Sequence, residues 1–404
     1  MKRSRAFSVE GGRLRIAFFT DTYLPTRDGV VTSIQLLKGE LEALGHEVFV
    51  FAPAPKYDKD REPGVNYFRS VSFRRYQGYR VPMFPTNKCE ILDKLGIDVI
   101  HNHGLAFMAL RSMFAGRTLK KPVLTTWHTN VTEAVRFYNF SGLPDEVLVR
   151  LMWIYFRSLL HRSEVVIAPT EAIKESLLSY VPSIRHIEVV PTGVDLARFQ
   201  PGIDASAIRE RYGLQDKKVI LHLGRIALEK NMDLVINGFA KLAKRMPELR
   251  LMVAGEGPAK DYHVKAVQEL GISDKVVFTG FVPDAELPLF YSACDVFTIA
   301  SKFETQGLVV LEAMACGKPV VGINYRAVAE IVRDGENGFL FDDDEESWCS
   351  AVMKGVNASP ELRHRARIRA EQFSQREEAR RMVKYYQDAI ISKRARLPKH
   401  QRKD

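Results

Sequence analysis

No stretch of this 404-residue chain approaches the about 18–20 consecutive apolar residues of a membrane-spanning helix. The opening segment, MKRSRAFSVEGGRLRIAFF, carries basic residues but no apolar stretch that would make it a secretory signal. Cysteine is scarce. Cys89, Cys294, Cys316 and Cys349 are scattered without metal-ligand spacing among mostly apolar neighbours, and they read as reduced residues of a cytoplasmic protein. There is no low-complexity tract and no helix-turn-helix, zinc or RNA-binding signature, so nucleic acid is not an expected partner. The phosphate-binding pattern G-x-x-x-x-G-K-[ST] is missing too, because Cys316-Gly317-Lys318-Pro319 lacks the hydroxyl. His101-Asn102-His103 has no further His or Cys cluster, and Asp58-Lys59-Asp60 sits in a charged, proline-containing loop. Neither calls for a metal ion.

What is present is a globular composition, 46% hydrophobic and 27% charged, on a chain long enough for two or three domains. The net charge of +10 is uneven. Residues 66–88 hold five basic groups and no acid, interleaved with Tyr67, Phe68, Phe73, Tyr76, Tyr79 and Phe84. The terminal SKRARLPKHQRKD is basic again. Such patches attract anionic lipid, nucleic acid or a charged substrate, or are simply solvated basic faces.

Short apolar runs rich in branched and aromatic residues recur at 14–20, 47–53, 98–103, 122–128, 164–169 and 187–193, with helix-spaced segments between most of them. After a Gly/Pro junction near 193–202 the alternation restarts at 219–224, 250–256, 276–280, 295–300, 320–324 and 338–341. The pattern predicts an α/β chain of two Rossmann-like, doubly wound domains. The boundaries expected are 1–198 and 199–375, with a terminal helix near 376–395. Ligands of such sheets bind beyond the carboxyl ends of the strands. Two facing domains would gather the residues after each strand around one interdomain cleft: 21–29, 101–104 and 127–129 from the first half; 224–231, 255–257, 280–282 and 301–307 from the second.

Within that set, SKFETQGLVVLEAMACGKPVVG (301–322) reads as a loop, a helix from Leu308 to Ala315 stopped by Gly317 and Pro319, and a buried strand. Amides at Gln306, Gly307 and Leu308 would open the helix and favour an anion. Glu304 and Glu312 could accept sugar hydroxyls, although a capped surface helix has the same local pattern. Arg225 and Lys230 share one loop and could clamp a diphosphate; the alternative is a basic loop with Glu229 as partner. Gly29 could let a ligand approach the backbone, or serve a plain turn. His128 stands at a strand end. Gly255-x-Gly257 is too short for a dinucleotide fingerprint.

Together, Arg225 with Glu229-Lys230, AGEGP, GFV, FETQGLVVLEAMACGKPVV and the junction PTGVD resemble the large retaining glycosyltransferase family of the GT-B fold. That family includes sucrose synthases, lipid glucosyltransferases and phosphatidylinositol mannosyltransferases. The resemblance spans about residues 14 to 390. It implies a hexosyltransferase that needs no metal or other cofactor and takes a nucleotide-diphosphate sugar, a UDP- or GDP-hexose, as donor. It further implies that Glu304 holds the donor-sugar hydroxyls, that Gln306, Gly307 and Leu308 supply amides to sugar and phosphate, and that Glu312 receives the ribose hydroxyls. Arg225 and Lys230 would stabilise the leaving diphosphate, and His128 would lie against the donor sugar. The Gly29 loop would lie near diphosphate and acceptor, and Val282 of GFV would belong to the donor-binding set. Gly29-Val30 stands where the family has Gly-Gly, Asn231 where a Gly is common, and Thr305-Gln306 where many members have Gly-Phe. The last two departures, with Trp127-His128-Thr129, are similar to the diacylglycerol glucosyltransferase branch. A glycosidase-like carboxylate pair fits poorly, since Glu304 and Glu312 lie on one element.

The apolar segment VLVRLMWIYFRSLLH (147–161) carries Arg150, Arg157 and His161 on one side. It could dip into a lipid interface beside the 66–88 patch, or be a buried helix with a basic edge. The expectation favoured here is a membrane lipid acceptor of diacylglycerol type, met by a cytoplasmic protein at the inner face of the cell membrane through peripheral contact with anionic lipid. A soluble sugar or polyol acceptor is the alternative. A non-catalytic nucleotide-sugar-binding protein is the alternative of another class, and Glu304, Lys230, Arg225 and His128 occurring together argue against it.

Overall fold

Buried strands form where the apolar runs are densest. RIAFF makes β1 (Arg15–Phe19), whose last four residues are buried, and VILHL makes most of β10 (Lys218–Leu223). Both read as continuous runs rather than alternations, as strands covered on both faces do. The computed structural model describes residues 12–72, 80–83, 89–129, 135, 142–396 and 398. They divide into two units, Met1–Gly193 with Gln375–Asp404, and Val194–Ser374.

In the first unit, β1 is joined by β2 (Glu47–Pro53), β3 (Asn66–Phe68), β6 (Val99–Asn102), β7 (Val123–Thr126), β8 (Val165–Ala168) and β9 (Ile187–Val189) in the order β3-β2-β1-β6-β7-β8-β9. All neighbours are parallel. A separate antiparallel hairpin pairs β4 (Ser70–Ser72) with β5 (Arg80–Pro82). The second sheet runs β12-β11-β10-β13-β14-β15, from β10, β11 (Leu249–Ala254), β12 (Val276–Gly280), β13 (Val296–Ile299), β14 (Val320–Ile323) and β15 (Gly338–Phe341). It too is parallel throughout. These are two Rossmann-like doubly wound domains, each with its order reversing beside its first strand.

Local chemistry sets the helix ends. Asp28 caps the helix Gly29–Ala43 by accepting from the Val31 N–H at 2.8 Å. Asp344 and Ser359 do the same for Glu345–Val356 and Pro360–Glu371, the latter with proline in its first turn. The helix Leu308–Ala315 ends on Gly317 at φ +69°, where Lys318 N–H reaches Ala313 O at 3.0 Å and Gly317 N–H reaches Met314 O at 2.9 Å.

The chain passes between units at 193/194 and 374/375, five residues before the boundary expected at 198/199 on the way out. Val194 pairs with Ser374, and its N–H reaches Phe373 O at 3.0 Å, which attaches the segment from Val194 onward to the second unit. The helix Gln375–Arg396 belongs to the first unit. Its Ala379, Met382, Tyr386 and Ala389 are buried in one core with Val31, Ile34 and Leu41 of Gly29–Ala43.

Part of the basic 66–88 stretch is structural. Phe68 is buried, and Arg80 is held by Ala54 O, Ser70 and Ser72. Phe73, Tyr76, Tyr79 and Phe84 lie outside the described residues. The segment 147–161 is not the fully buried helix of the second reading given for it. The helix Asp145–Arg162 buries Trp153, Phe156, Leu159 and Leu160 but exposes Val147, Leu151 and Ile154. No described helix is long and apolar enough to cross a membrane.

Candidate active site

The residues expected in the second unit do leave the carboxyl ends of its strands. After β10, Gly224 adopts φ +149°, and the chain turns through Arg225 into a short helical turn, Leu228–Lys230. Asn231 follows at φ +54° in the left-handed region. Asparagine tolerates that conformation better than most residues, which accounts for Asn231 at a position where glycine is common.

Gly255 and Gly257, weak as a fingerprint, have a structural task. A Cβ on Gly255 would fall 1.9 Å from Gly224 O, and one on Gly257 would fall 2.1 Å from Ile226 O. The AGEGP loop thus lies backbone to backbone on the loop carrying Arg225, with Ile226 N–H donating to Glu256 O at 3.0 Å. Only glycine allows that approach.

The charged groups pair within this unit. Lys230 Nζ donates to Glu304 Oε1 at 2.6 Å, with both side chains about four-fifths covered. Burial pushes the Glu304 carboxyl up, but the Lys230 charge and hydrogen bonds from Lys230 and Ser301 outweigh it and hold the group below its ordinary value. Arg225 pairs with the buried Glu229, the partner that the plainer reading of this loop expected. Glu312 accepts from the buried Tyr291 hydroxyl at 2.6 Å. Burial pushes this carboxyl up to about 7.

Gly307 stands at φ +87° in the N-cap position of Leu308–Ala315 and has no side chain with which to cap it. Gln306 is buried. Val282 is buried in the second core, so any ligand contact there falls to its backbone, while the neighbouring Phe281 is 64% exposed.

In the first unit, His128 follows β7 and Gly29 opens a helix rather than lying in a loop, because Asp28 caps it. Nothing lies within 4 Å of a Cβ placed on Gly29, so the fold itself needs no glycine there. Asp21, counted among the strand-end residues, is buried and accepts from Ala106 N–H at 2.8 Å and Met108 N–H at 2.9 Å. It caps the helix Phe107–Thr118 from a distant loop. Gly104 fits beside it because a Cβ there would lie 2.2 Å from its carboxylate.

His101 is a satisfied core histidine, its nitrogens 2.7 Å from Tyr386 Oη and from Thr126 Oγ1. His103, within the strand-end set 101–104 but given no role there, lies 3.1 Å through Nδ1 from His128 Nε2. The H-N-H run on a strand end was the signal that could have found it. Among the described residues no group of three or more His, Cys, Asp or Glu could hold a metal ion. Each unit therefore carries its own half of the predicted residue set: Arg225, Lys230, Glu304, Gln306–Leu308, Glu312 and Val282 in the second, His128 and Gly29 in the first.

Two family models match the chain. Residues 204–373 match the model for glycosyl transferases group 1, and residues 27–198 match that for glycosyltransferase family 4. The chain is 34% identical to an alpha-monoglucosyldiacylglycerol synthase of Streptococcus pneumoniae, over 94% of this chain and 87% of that protein. It is 30% identical to an alpha-monoglucosyldiacylglycerol synthase of Acholeplasma laidlawii, over 82% and 86%. A GDP-mannose-dependent phosphatidylinositol monomannoside mannosyltransferase of Mycolicibacterium smegmatis is 28% identical over 84% and 88%. Among solved structures, sucrose-phosphate synthase from Thermosynechococcus elongatus superposes with a TM-score of 0.74 at 21% identity, covering 94% of this chain and all of that one. The HepE protein of Anabaena, solved with UDP and glucose, gives 0.75 at 18% identity, covering 93% and 100%. The chain belongs to the group 1 glycosyltransferases of the GT-B fold, the family of the alpha-monoglucosyldiacylglycerol synthases and the phosphatidylinositol mannosyltransferases.

Proposed function

We propose that this glycosyltransferase moves a hexose from a UDP- or GDP-hexose to the hydroxyl of a diacylglycerol-type lipid, with retention at the sugar carbon and without a metal ion. The observation that carries the donor half is the Lys230–Glu304 pair in the same unit as the glycine-led start of Leu308–Ala315. As the bond from the sugar carbon to the diphosphate breaks, negative charge grows on the leaving oxygen. Lys230, Arg225 and the amides at Gln306 to Leu308 meet that charge where it develops. Glu304 takes the sugar hydroxyls. The acceptor oxygen bonds to the face that the diphosphate leaves, and its proton passes to the leaving phosphate. His128, pushed down to about 4 by burial, is neutral and adds no charge against the cationic sugar carbon.

Glu312 holds the ribose, and its carboxyl predicts a pH dependence. The ribose hydroxyls need the ionised form, so donor affinity falls by up to about tenfold per unit as pH drops below about 7. The folded state keeps a proton that the unfolded chain releases. Its contribution to stability is full below the ordinary glutamate value and is lost as pH rises through about 7. Glu312→Gln should therefore melt higher than the parent at pH 8 but not at pH 4, while binding nucleotide weakly and without this pH dependence. Calorimetry and titration with UDP and GDP check both.

The lipid acceptor rests on the first unit's surface and on the named activities of the relatives. Leu151 and Ile154 are 51% and 62% exposed on Asp145–Arg162, between the exposed Arg150 and Arg157. Leu110 and Phe114 are likewise exposed, on Phe107–Thr118. An apolar stripe edged by arginines suits the boundary of an anionic leaflet. Leu151→Glu with Ile154→Glu should weaken binding to phosphatidylglycerol vesicles about tenfold or more, and high salt should weaken the parent. Unchanged sedimentation with vesicles would exclude this face. Mass spectrometry of products from a lipid extract, with UDP-glucose, UDP-galactose and GDP-mannose in competition, tests the whole reading. Sugar on a soluble acceptor alone would replace the lipid, and no nucleotide diphosphate released with any acceptor would remove the activity.

A further inference from the structure

Among the described residues three non-glycine residues adopt a positive φ: Lys120, Asn231 and Arg326. Lys120 lies just past the helix Phe107–Thr118, where a left-handed residue commonly ends a helix. Asn231 is of a type that tolerates the conformation. Arg326, at φ +39°, has neither explanation. It opens the short helical turn Arg326–Ile331 after β14, and its backbone carries a strain that glycine would not. Its guanidinium lies over the ring of Tyr325, 5.1 Å from the centroid, and has no hydrogen bond or ion pair among the described residues. Lys302 Nζ is 5.9 Å from the centroid of the same ring. Lys302 is paired with Asp343, and Asp343 also accepts from Asn231 Nδ2 at 3.1 Å. The loops after β10, β13, β14 and β15 thus meet. Of the two cations on the Tyr325 ring, Lys302 has a carboxylate partner and Arg326 does not.

The order of the second sheet says where this cation stands. The strands run β12-β11-β10-β13-β14-β15, and neighbours in a sheet are about 4.8 Å apart. Val282 follows β12, Arg225 and Lys230 follow β10, and Glu304 follows β13. Arg326 follows β14, one strand beyond Glu304 and two beyond Lys230. A donor with its diphosphate at Lys230 and its sugar at Glu304 runs along this row. The side of the sugar turned away from the diphosphate then comes toward the loop after β14. Stacking on Tyr325 occupies a face of the guanidinium and leaves the N–H groups at its edge, five donors in a fixed fork, for another partner. Such a fork can only donate, and a sugar hydroxyl can accept.

We propose that Arg326 is a specificity-determining residue for the donor: its guanidinium donates to an oxygen of the transferred hexose on the side away from the diphosphate. The left-handed backbone at Arg326 is kept for that contact, since a solvated arginine gains nothing from it. The Tyr325 ring holds the guanidinium. Asp343 is taken by Lys302 and Asn231, so the arginine is not drawn into an ion pair of the protein's own. Glucose and galactose carry one hydroxyl in different orientations, and a fixed fork meets one of them better than the other. This rests on the reading that Lys230 meets the diphosphate and Glu304 the sugar.

The test is calorimetric titration of the full chain with UDP, GDP, UDP-glucose, UDP-galactose and GDP-mannose, read with melting curves. Arg326→Gly should weaken the nucleotide sugar that the parent binds best by about tenfold or more, while bare UDP and GDP stay within about twofold of the parent. The margin of that sugar over the others should narrow. The variant should melt at or above the parent, because glycine takes the left-handed conformation without strain. Arg326→Asn, which also tolerates that conformation, should give the same affinities and guards against a loosened turn in the glycine variant. Equal weakening of the bare diphosphates would put Arg326 on the phosphates and overturn the proposal, as would unchanged affinity for every nucleotide sugar. A lower melting temperature in both variants would show that the fold holds Arg326 for itself, and overturns it too. Lys230→Ala checks the reading beneath: binding of UDP and GDP as in the parent sinks both, whereas a loss there beside an unaffected Arg326→Gly sinks this proposal alone.

Discussion

Lys230→Ala should lower the rate of sugar transfer by about 10²–10³-fold, about 3–4 kcal/mol of lost transition-state stabilisation, while the protein stays folded. Two losses add. The departing diphosphate loses a fixed cation, and Glu304 loses the partner 2.6 Å away that keeps it ionised. Burial, the largest influence on that carboxyl, then acts with less opposition and moves it toward its protonated form. A protonated Glu304 is a poorer acceptor for sugar hydroxyls. Breaking a fully buried ion pair costs about 3–5 kcal/mol of stability. Here both side chains retain some solvent contact and the carboxyl can take up a proton, so the melting temperature should fall by only a few degrees. Glu304→Ala provides the complementary result. It should also lose most transfer, yet it leaves Lys230 free for a phosphate and should retain affinity for the nucleoside diphosphate, which Lys230→Ala should lose. Steady-state rates, nucleotide titration and melting curves on the pair separate the two roles, and near-normal rates in either variant would remove that residue from the reaction.

Gly257→Ala should destabilise the second unit by about 3 kcal/mol or more. The added methyl would stand 2.1 Å from Ile226 O and 2.7 Å from Ile226 N, against backbone rather than the flexible end of a side chain. The loop after β11 must move off the loop after β10. Ile226 N–H then loses Glu256 O, and Ala259 N–H loses Ile226 O, now at 3.0 and 3.1 Å. Arg225 adjoins Ile226, and Lys230 lies four residues beyond it. The same substitution should therefore weaken nucleotide binding even where enough protein remains folded to measure it. Gly29→Ala is the contrasting case. Its methyl meets nothing within 4 Å and sits in the first turn of a helix, so the fold should keep or gain stability. Lost transfer in a stable Gly29→Ala protein would show that the substrate, not the fold, needs that glycine. A Gly257→Ala protein that melts with the parent would show that the two loops are not held by their close approach.

The legible parts of this molecule are those set by neighbours in sequence. The helix from Leu308 to Ala315 could be bounded in advance because its ends depend on Gly307, Gly317 and Pro319, all within a few residues. Strand centres could be read from apolar runs, since a strand covered on both faces has no polar alternation to obscure it. The two-sheet architecture followed from the restart of the alternation after residue 202. The hairpin Ser70–Ser72 with Arg80–Pro82 was not legible, because basic and aromatic residues there read as a surface patch. Nor was the half-exposed state of Asp145–Arg162. Its apolar residues occupy both faces, and hydropathy alone cannot say which face meets the sheet.

Sequence by itself determined the fold class and the order of strands and helices, and it named candidate residues at the strand ends. Tertiary structure decided which of these groups meet. Lys230 finds Glu304 across 74 residues, Glu312 finds Tyr291 across 21, and His103 finds His128 across 25. Asp21 spends its carboxylate on helix amides 85 and 87 residues away. His101 closes on Tyr386 across 285, which leaves His103 to face His128. The physical reason is the winding of the sheets. Parallel strands separated by crossovers bring distant strand ends together in an order, β1 beside β6 and β10 beside β13, that emerges only when the strands have packed.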